Sequence, residues 1–378
     1  MGESGLGEFP MVLSFVKMHF GGLNLTTRNK RKEDTMKKLG ILVVAVLFSI
    51  GIMSVMQGEA LAASGKVVTL KVAHQWPQNP KDPLVATALK FTNEITKRTK
   101  GAVQFKFYPA QSLVKAKSAF QAMQKGVVDI SILPYVYVAG IVPQMNFSQW
   151  VCAFENHDDY FAWRKSKGYD LLESKTNKAG VKTLVWLHYS VGLASNGKYI
   201  ATPADAKGVK VRANGRYPSM LFSAAGAGIT PMVSADIYTA AQRGMLGAVV
   251  TSSPSMAGYK LYVVFDHYLS PTGPCIDYGM EPICISMKTW NNKLNDEQRK
   301  IFLEEAKKAE VFGLAQLKAY DQKVAQFYRD AGCKVRTMTK DEFAQWRKLA
   351  QKSVWPVKQK EVPDGAFFYK DAFPELKF

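Results

Sequence analysis

The sequence lacks the motifs by which most enzymes are recognised. It contains no GxSxG nucleophile elbow, no HExxH metal motif, no Walker phosphate loop and no GxGxxG after a strand pattern. Cys152 lies near Glu155, His157 and Asp158, but residues crowded into one loop seldom reach the geometry of a thiol dyad. The sequence therefore predicts a protein that is not an enzyme, with no catalytic residue and no cofactor.

Cysteine is scarce, with four residues in a chain of 378. Neither a CxxC motif nor a paired-histidine spacing occurs, so no metal site is predicted. Four cysteines are also too few for a disulfide scaffold in a chain of this length. Cys275 and Cys284 bracket a possible turn and could form a local bridge, so the pairing of Cys152, Cys275, Cys284 and Cys333 stays open.

Blocks of basic residues are also missing, although the formal net charge is +19. The lysines and arginines are spread along the chain, and no helix-turn-helix, zinc-finger or RNA-binding signature accompanies them. We therefore expect no binding to nucleic acid. A dispersed positive charge favours solubility and the capture of anions.

The N-terminal part contains the pattern of an export signal. A basic start at Met36 is followed by an apolar run over 39–56 and by the small residues Ala60 and Ala62. This pattern predicts a secretory signal peptide at 36–62, cleaved before Ala63, and a periplasmic location. A membrane anchor is the alternative, which the glycine and serine within the run disfavour. Residues 1–35 precede a complete signal and are predicted to be a wrongly assigned extension of the chain.

The remaining length suffices for two domains. Strand and helix patterns alternate from Val67 to Leu133 and again from Val209 to Thr251, which predicts two units of parallel α/β structure. We expect 63–190 to form mainly one domain and 191–290 mainly the other. A long helix begins near Asn295, and 291–378 is expected to span and return to both domains.

Arg212 lies at the centre of the second unit. Val209, Val211 and Ala213 alternate with Lys210 and Arg212, so the arginine is predicted on the polar side of a short strand, at its carboxyl end. Parallel sheets bind ligands at this end of their strands. A guanidinium there can hold a carboxylate through two parallel hydrogen bonds.

The segment around Arg212 resembles a known family. The run Lys207-Gly208-Val209-Lys210-Val211-Arg212, with the following Gly228 to Met232 and Tyr238-x-x-x-Gln242-x-Gly244, is similar to the signature of the DctP-type solute-binding proteins of tripartite ATP-independent periplasmic (TRAP) transporters. The order of Pro109 to Leu113, a helix, and the strand ending at Tyr135 extends the resemblance over nearly the whole exported chain.

The resemblance implies a two-domain α/β fold of the periplasmic-binding-protein type, class II-like, with a long helix that spans both domains. It implies a role in transport: the capture of an organic acid, with Arg212 holding the carboxylate, and its delivery to a permease of one small and one large membrane subunit, driven by an ion gradient. A ligand-binding component that reports to a sensor is the alternative, and an enzyme on the same scaffold is a weaker one.

Two departures from the family pattern bear on the ligand. The strand end at Tyr189 to Leu193 carries no second charged group, and the strand after Gly244 lacks the acidic residue that often follows in the family. We therefore expect a monocarboxylate with an apolar or aromatic body and no bound metal. The predicted substrate-binding residues, each near a strand end, are Arg212, His74, Trp76, Tyr135, Asn214, Met232 and Thr251.

Overall fold

The computed structural model describes residues 67–374, so the predicted extension at 1–35 and the predicted signal peptide at 36–62 lie outside the described residues. The described residues belong to one compact unit. Its strands are β1 (Val68–Ala73), β2 (Val103–Tyr108), β3 (Ile130–Ile132), β4 (Val181–Val185), β5 (His188–Ser195), β6 (Lys210–Arg212), β7 (Gly228–Ile229), β8 (Ala248–Ser252), β9 (His267–Ser270), β10 (Tyr278–Met280), β11 (Ile283–Ser286) and β12 (Lys334–Thr337). Its α-helices are α1 (Pro83–Arg98), α2 (Ala119–Lys125), α3 (His157–Ala162), α4 (Lys167–Lys178), α5 (Arg216–Ala224), α6 (Ile237–Gln242), α7 (Ser253–Gly258), α8 (Met287–Asn292), α9 (Asp296–Asp330), α10 (Lys340–Ser353), α11 (Trp355–Glu361) and α12 (Gly365–Ala372).

The first sheet has the strand order β2-β1-β3-β11-β4. Strands β1, β2 and β3 are parallel, and β11 runs antiparallel to β3 and β4. Helix α1 begins after Asp82, whose carboxylate accepts from the backbone of Leu84 and Val85. The predicted apolar stripe of this helix, from Leu84 to Ile95, is buried as expected.

The second sheet has the order β12-β9-β5-β8-β6-β7, with β10 also paired to β5. Strands β6, β7 and β8 are parallel neighbours, which confirms the predicted strand, helix, strand, helix, strand unit around Arg212. The strand predicted from Ile229 to Met232 is shorter than expected and ends at Ile229. Pro231 has no backbone N–H to continue a ladder, which explains the early end.

The chain crosses between the sheets at two adjacent places. The residue pattern from Val181 to Tyr189 predicts one buried strand. This prediction is wrong, because β4 ends in the first sheet and β5 begins in the second, on either side of Trp186 and Leu187. The return crossing lies between β10 and β11, at Glu281 and Pro282. The Glu281 N–H donates to the Leu187 carbonyl at 2.9 Å, so the two crossings run side by side.

Helix α9 confirms the predicted long helix. It is 35 residues long, about 52 Å at 1.5 Å per residue, and Asn295 caps its first turn. Ile301 and Phe302 pack in the core of the first sheet, while Val324 and Tyr328 pack in a core beside the second. The molecule is therefore a mixed α/β protein with two sheets and one helix that reaches both.

Two other sequence-based expectations can be compared with the structure. The helix predicted from Tyr160 to Glu173 is two helices, α3 and α4, separated at Ser166, whose backbone is extended. All four cysteines are free thiols, so the local bridge between Cys275 and Cys284 is not formed. Within residues 67–374, no helix combines the length and the apolar character needed to cross a membrane.

Candidate functional site

Arg212 ends strand β6 and is completely buried. The predicted polar side of this strand is enclosed at Arg212, since only Lys210 of the strand is exposed and Val211 and Arg212 are both covered. Strand β6 is held between β7 and β8, and Tyr137, which follows β3 of the other sheet, lies close enough to influence the guanidinium at its carboxyl end. The guanidinium is therefore enclosed between the two sheets.

The guanidinium is held by neutral oxygens. Its Nε and Nη2 atoms donate to the Met232 carbonyl at 3.2 and 3.1 Å, Nη1 donates to the Val250 carbonyl at 3.0 Å, and Nη2 also reaches the Ser234 hydroxyl at 3.3 Å. Burial lowers the pKa of Arg212, an effect that nearby Tyr137 and Tyr189 oppose. A buried cation whose protein partners in the described range are uncharged is stabilised by an anion.

Three hydrogen bonds join the two sheets around Arg212. The Trp76 indole donates to the Ser255 hydroxyl at 3.2 Å, and the Tyr259 hydroxyl donates to the Gln75 carbonyl at 3.0 Å. The Ser234 N–H donates to the Tyr137 hydroxyl at 3.2 Å. Gln75, Trp76 and Tyr137 follow strands β1 and β3 of the first sheet, whereas their partners follow strands of the second. We call the enclosed space the Arg212 cleft.

The predicted residues of the second sheet lie at or near this cleft. Asn214 is buried, and its Nδ2 atom is 3.5 Å from the Tyr189 hydroxyl, while its Oδ1 atom has no hydrogen-bond partner among the described residues. Met232 contributes through its backbone carbonyl, as described above. Thr251 is buried in β8 opposite Gly192.

The predicted residues of the first sheet differ in whether they contact the Arg212 cleft. Trp76 bridges the cleft, and the His74 ring bonds to the Gln78 side chain at 3.0 Å. Tyr135 lies in the core of the first sheet, where its hydroxyl contacts Thr183 and accepts from the Cys284 thiol. These contacts favour a packing role for Tyr135 over the ligand contact that the sequence predicts.

Sequence reasoning missed the tyrosines around Arg212. Tyr137, Tyr189 and Tyr259 each lie close enough to influence the guanidinium, although they come from three separate segments. Burial raises the pKa of Tyr189 and of Tyr259, so both hydroxyls remain neutral donors. In the sequence, each of these tyrosines lies near the end of a strand or helix. Many other tyrosines do as well, and sequence spacing does not show which of them lie close to Arg212.

Sequence reasoning also missed Glu281. Its carboxyl lies beside the end of β8, because the Ser252 hydroxyl at that end donates to Glu281 Oε1 at 3.4 Å. Burial raises the pKa of Glu281 well above its usual range, nearby Asp82 raises it further, and Ser252 and Arg212 act in the opposite direction. The sequence feature that could have predicted its importance is a lone acidic residue between two apolar strands.

A metal site is not apparent in the part of the chain that the structure describes. There, no group of three or more histidine, cysteine, aspartate or glutamate side chains is placed to hold an ion. The arrangement around Arg212 instead offers a fixed cation, neutral hydroxyls and one buried carboxyl. Such a set can bind a small organic anion through paired hydrogen bonds and surround it with polar contacts.

Comparisons with known proteins agree in both sequence and fold. Residues 72–360 match the bacterial extracellular solute-binding proteins of family 7, the DctP family. A solute-binding protein of Albidiferax ferrireducens is 31% identical over 300 residues, which cover 78% of this chain and 87% of the relative.

Two solved structures are similar along most of their length. A TRAP periplasmic solute-binding protein from Rhodoferax ferrireducens, with bound malonate, has a TM-score of 0.77 and 29% identity, covering 80% of this chain and 96% of its own. An extracytoplasmic solute receptor of Bordetella pertussis that binds pyroglutamic acid has a TM-score of 0.72 and 18% identity, covering 82% of this chain and 100% of its own. At that lower identity the second likeness shows the fold alone.

Proposed function

Because the chain belongs to family 7 of the bacterial extracellular solute-binding proteins, the DctP family, we propose that it captures an organic acid in the periplasm and delivers it to a TRAP-type permease. The family consists of solute-binding receptors and is not an enzyme family. In this proposal the acid is bound and released unchanged. The permease partners are the small and large membrane subunits, and the driving force is an ion gradient.

The enclosed guanidinium of Arg212 is the observation that carries this proposal. It is fully buried, and its protein partners in residues 67–374 are neutral oxygens. A carboxylate bound to it supplies the opposite charge and accepts two parallel hydrogen bonds, from the Nη1–H that the protein oxygens leave free and from Nη2 in place of the 3.3 Å contact to Ser234. The malonate bound to the Rhodoferax relative is a carboxylate, which supports this class of solute.

Which carboxylate the protein binds is a separate question from the role of Arg212. The sequence predicts a monocarboxylate with an apolar or aromatic body, whereas malonate carries two carboxylates. Tighter binding of malonate or succinate than of benzoate, phenylacetate or pyroglutamate would refute the monocarboxylate prediction and leave the role of Arg212 intact. Competition experiments with these acids rank the two classes directly.

A thermal-shift screen against organic acids tests the role of Arg212. A ligand at 100 times its dissociation constant stabilises a protein by about 2.7 kcal/mol, so a binding acid raises the melting temperature. We expect acids to shift the parent protein and to lose affinity by at least about 100-fold in Arg212→Ala, since one partner of a buried ion pair is removed. Arg212→Lys keeps the charge but loses the paired geometry, and should bind with intermediate affinity.

Arg299→Ala serves as the matched control. The Arg299 side chain bonds to Asp296 and to backbone carbonyls near the start of α9, away from the Arg212 cleft. This variant should bind acids as the parent does. Retained acid binding in both Arg212 variants, or hits confined to uncharged compounds, would contradict the proposed function.

Delivery to a permease is tested by uptake in cells. Cells that express this chain with both membrane subunits should accumulate a radiolabelled hit acid, and omission of any of the three components should abolish uptake. Collapse of the ion gradients should stop uptake, while depletion of ATP with the gradients maintained should not. Uptake that follows ATP and ignores the gradients would argue against a TRAP permease.

A further inference from the structure

Glu281 occupies an unusual place in the fold. It lies at the return crossing from the second sheet to the first, directly beside the outward crossing at Leu187. Its side chain is 4% exposed and reaches the end of β8 through Ser252. A buried acidic residue thus lies where the two sheets join and next to the cation that the proposed function assigns to the ligand.

One oxygen of this carboxyl is unused. Ser252 donates to Oε1, but Oε2 is buried and has no hydrogen-bond partner among the described residues. A buried polar atom without a partner destabilises a protein, so such atoms commonly face a ligand or another functional group. The charged and titratable groups near Glu281 come from four elements, namely Arg212 at the end of β6, Asp82 before α1, Tyr189 in β5 and Tyr259 after α7.

We propose that Glu281 is a second ligand-binding residue of the Arg212 cleft, and that binding of a carboxylic acid is accompanied by uptake of one proton at Glu281. This inference rests on the proposed function. The proton comes from solvent when the cleft opens and closes, and it resides on the Glu281 carboxyl in the closed complex. The neutral carboxyl then donates through its O–H to an oxygen of the bound acid.

Access to the cleft explains why a proton is taken up. Arg212 has no exposed surface, so an acid reaches it only after the two sheets move apart. In the open form water reaches Glu281, and a hydrated glutamate is ionised near neutral pH. Closure removes this water, and the bound carboxylate cancels the positive charge of Arg212 that would favour ionised Glu281.

The sign of the pH dependence follows from this linkage. The pKa of Glu281 is raised in the closed form, so the closed complex holds more protons than the open protein. Lower pH therefore favours the complex, and higher pH weakens it. Between the ordinary and the raised pKa, affinity should fall by up to about tenfold for each unit of rising pH.

Titration calorimetry in buffers of different ionisation enthalpy tests the inference, because it counts the protons exchanged on binding. The probe is pyroglutamate, whose carboxyl stays ionised from about pH 5.5 to 8.5, or malonate above about pH 7 if only dicarboxylates bind. The parent should take up a proton, at most one for each acid bound, at pH values above the ordinary pKa of a glutamate. Glu281→Gln, which keeps the shape of the side chain, should take up none and bind with an affinity independent of pH.

Two further variants complete the design. Glu310→Gln changes a carboxyl on α9 that pairs with Arg164, and this variant should keep the proton uptake of the parent. Asp82→Asn keeps the helix cap and tests the other acidic group near the cleft. Uptake that persists in Glu281→Gln but disappears in Asp82→Asn would overturn the assignment to Glu281.

The outcomes separate this inference from the function on which it rests. If acids bind the parent through Arg212 without proton uptake and with the same affinity across the pH range, only the role of Glu281 is wrong. If no acid binds, or if binding survives Arg212→Ala, the proposed function is wrong as well. The proton count of the parent is informative even if a Glu281 variant fails to fold.

Discussion

At the scale of single residues, Tyr189 reaches the Arg212 cleft because its neighbour across the ladder is a glycine. Gly279 pairs with Tyr189 between β10 and β5, and a Cβ atom at position 279 would overlap the phenol ring. The backbone of Gly279 is not in the left-handed region, so the requirement is one of space alone. Tyr189 in turn lies beside Asn214 and influences Arg212.

Gly279→Ala should therefore destabilise the protein and weaken acid binding. Overpacking of a filled core costs about 1–3 kcal/mol, and the displaced ring lies at the cleft. Chemical unfolding measures the first effect and calorimetry with the best acid measures the second. Gly140→Ala is the control, since a Cβ atom there meets nothing within 4 Å. An unchanged dissociation constant in Gly279→Ala would show that Tyr189 does not shape the binding site.

The sequence predicted Arg212 because a local motif surrounds it, and it also placed Asn214 and Trp76 near strand ends. It could not predict Glu281 or the tyrosines, because their proximity depends on which strands cross between the sheets. Tyr135 and Tyr137 show the difficulty directly, since they are two positions apart and only Tyr137 lies beside Arg212. Which residue of such a pair faces the cleft depends on the short 3-10 turn that contains both.

At the scale of elements, the loop after β1 is joined to helix α7 by the hydrogen bond from Trp76 to Ser255, and to Tyr259 just after that helix by the bond to the Gln75 carbonyl. The indole is also completely buried against the core of the first sheet. Because its two partners belong to different sheets, the opening proposed for the cleft would break this bond.

Trp76→Phe should raise the dissociation constant for an acid by about 2- to 10-fold. The ring remains packed, but a hydrogen bond worth about 0.5–1.5 kcal/mol to the closed form is lost. Trp346→Phe is a matched control, because its indole donates to the Ala201 carbonyl within the second-sheet part of the protein. That control should lower the melting temperature and leave the dissociation constant unchanged. Equal dissociation constants for parent and Trp76→Phe would exclude a role of this bond in closure.

Hydrophobic periodicity and capping residues predict a helix from about Pro83 to Thr99, a strand from Val103 to Tyr108 and a long helix from about Asn295, and α1, β2 and α9 have nearly these bounds. The break between β4 and β5 was not predicted, since Val181 to Tyr189 has the pattern of one strand, with the apolar stretch Leu184 to Leu187 running straight across the break. A buried run of this kind shows that a strand is covered on both faces but does not show that the chain changes sheets within it. The turn at Trp186 and Leu187 carries no glycine or proline to mark it.

At the scale of the whole molecule, Asp321 links helix α9 to the second sheet. It accepts hydrogen bonds from Ser190 in β5 and Ser253 at the start of α7. Burial raises the pKa of Asp321 from 3.8 to about 7, against the effect of the two serines. The folded protein therefore holds a proton on Asp321 over a range in which the unfolded chain has lost it.

This shift gives a signed prediction for stability. The contribution of Asp321 is fully present below its unfolded pKa of 3.8 and is lost as pH rises toward about 7, by up to about 1.4 kcal/mol per pH unit. Asp321→Asn should remove this dependence, so the variant should gain stability relative to the parent as pH rises from 4 to 7. Urea unfolding at several pH values measures the difference. Asp330→Asn, exposed on the same helix, should follow the parent, and a parallel profile for both variants would contradict the assignment.

The complete enclosure of Arg212 has a kinetic consequence. Because no solute can leave the guanidinium before the sheets separate, acids of quite different affinity should depart at a similar rate, which is the rate of opening. Acids would then differ in affinity chiefly because they differ in the fraction of their encounters with the open cleft that lead to closure. The residence time of a bound solute is then set by the protein and not by the solute. A membrane partner that opens the cleft would shorten the residence time of every solute equally.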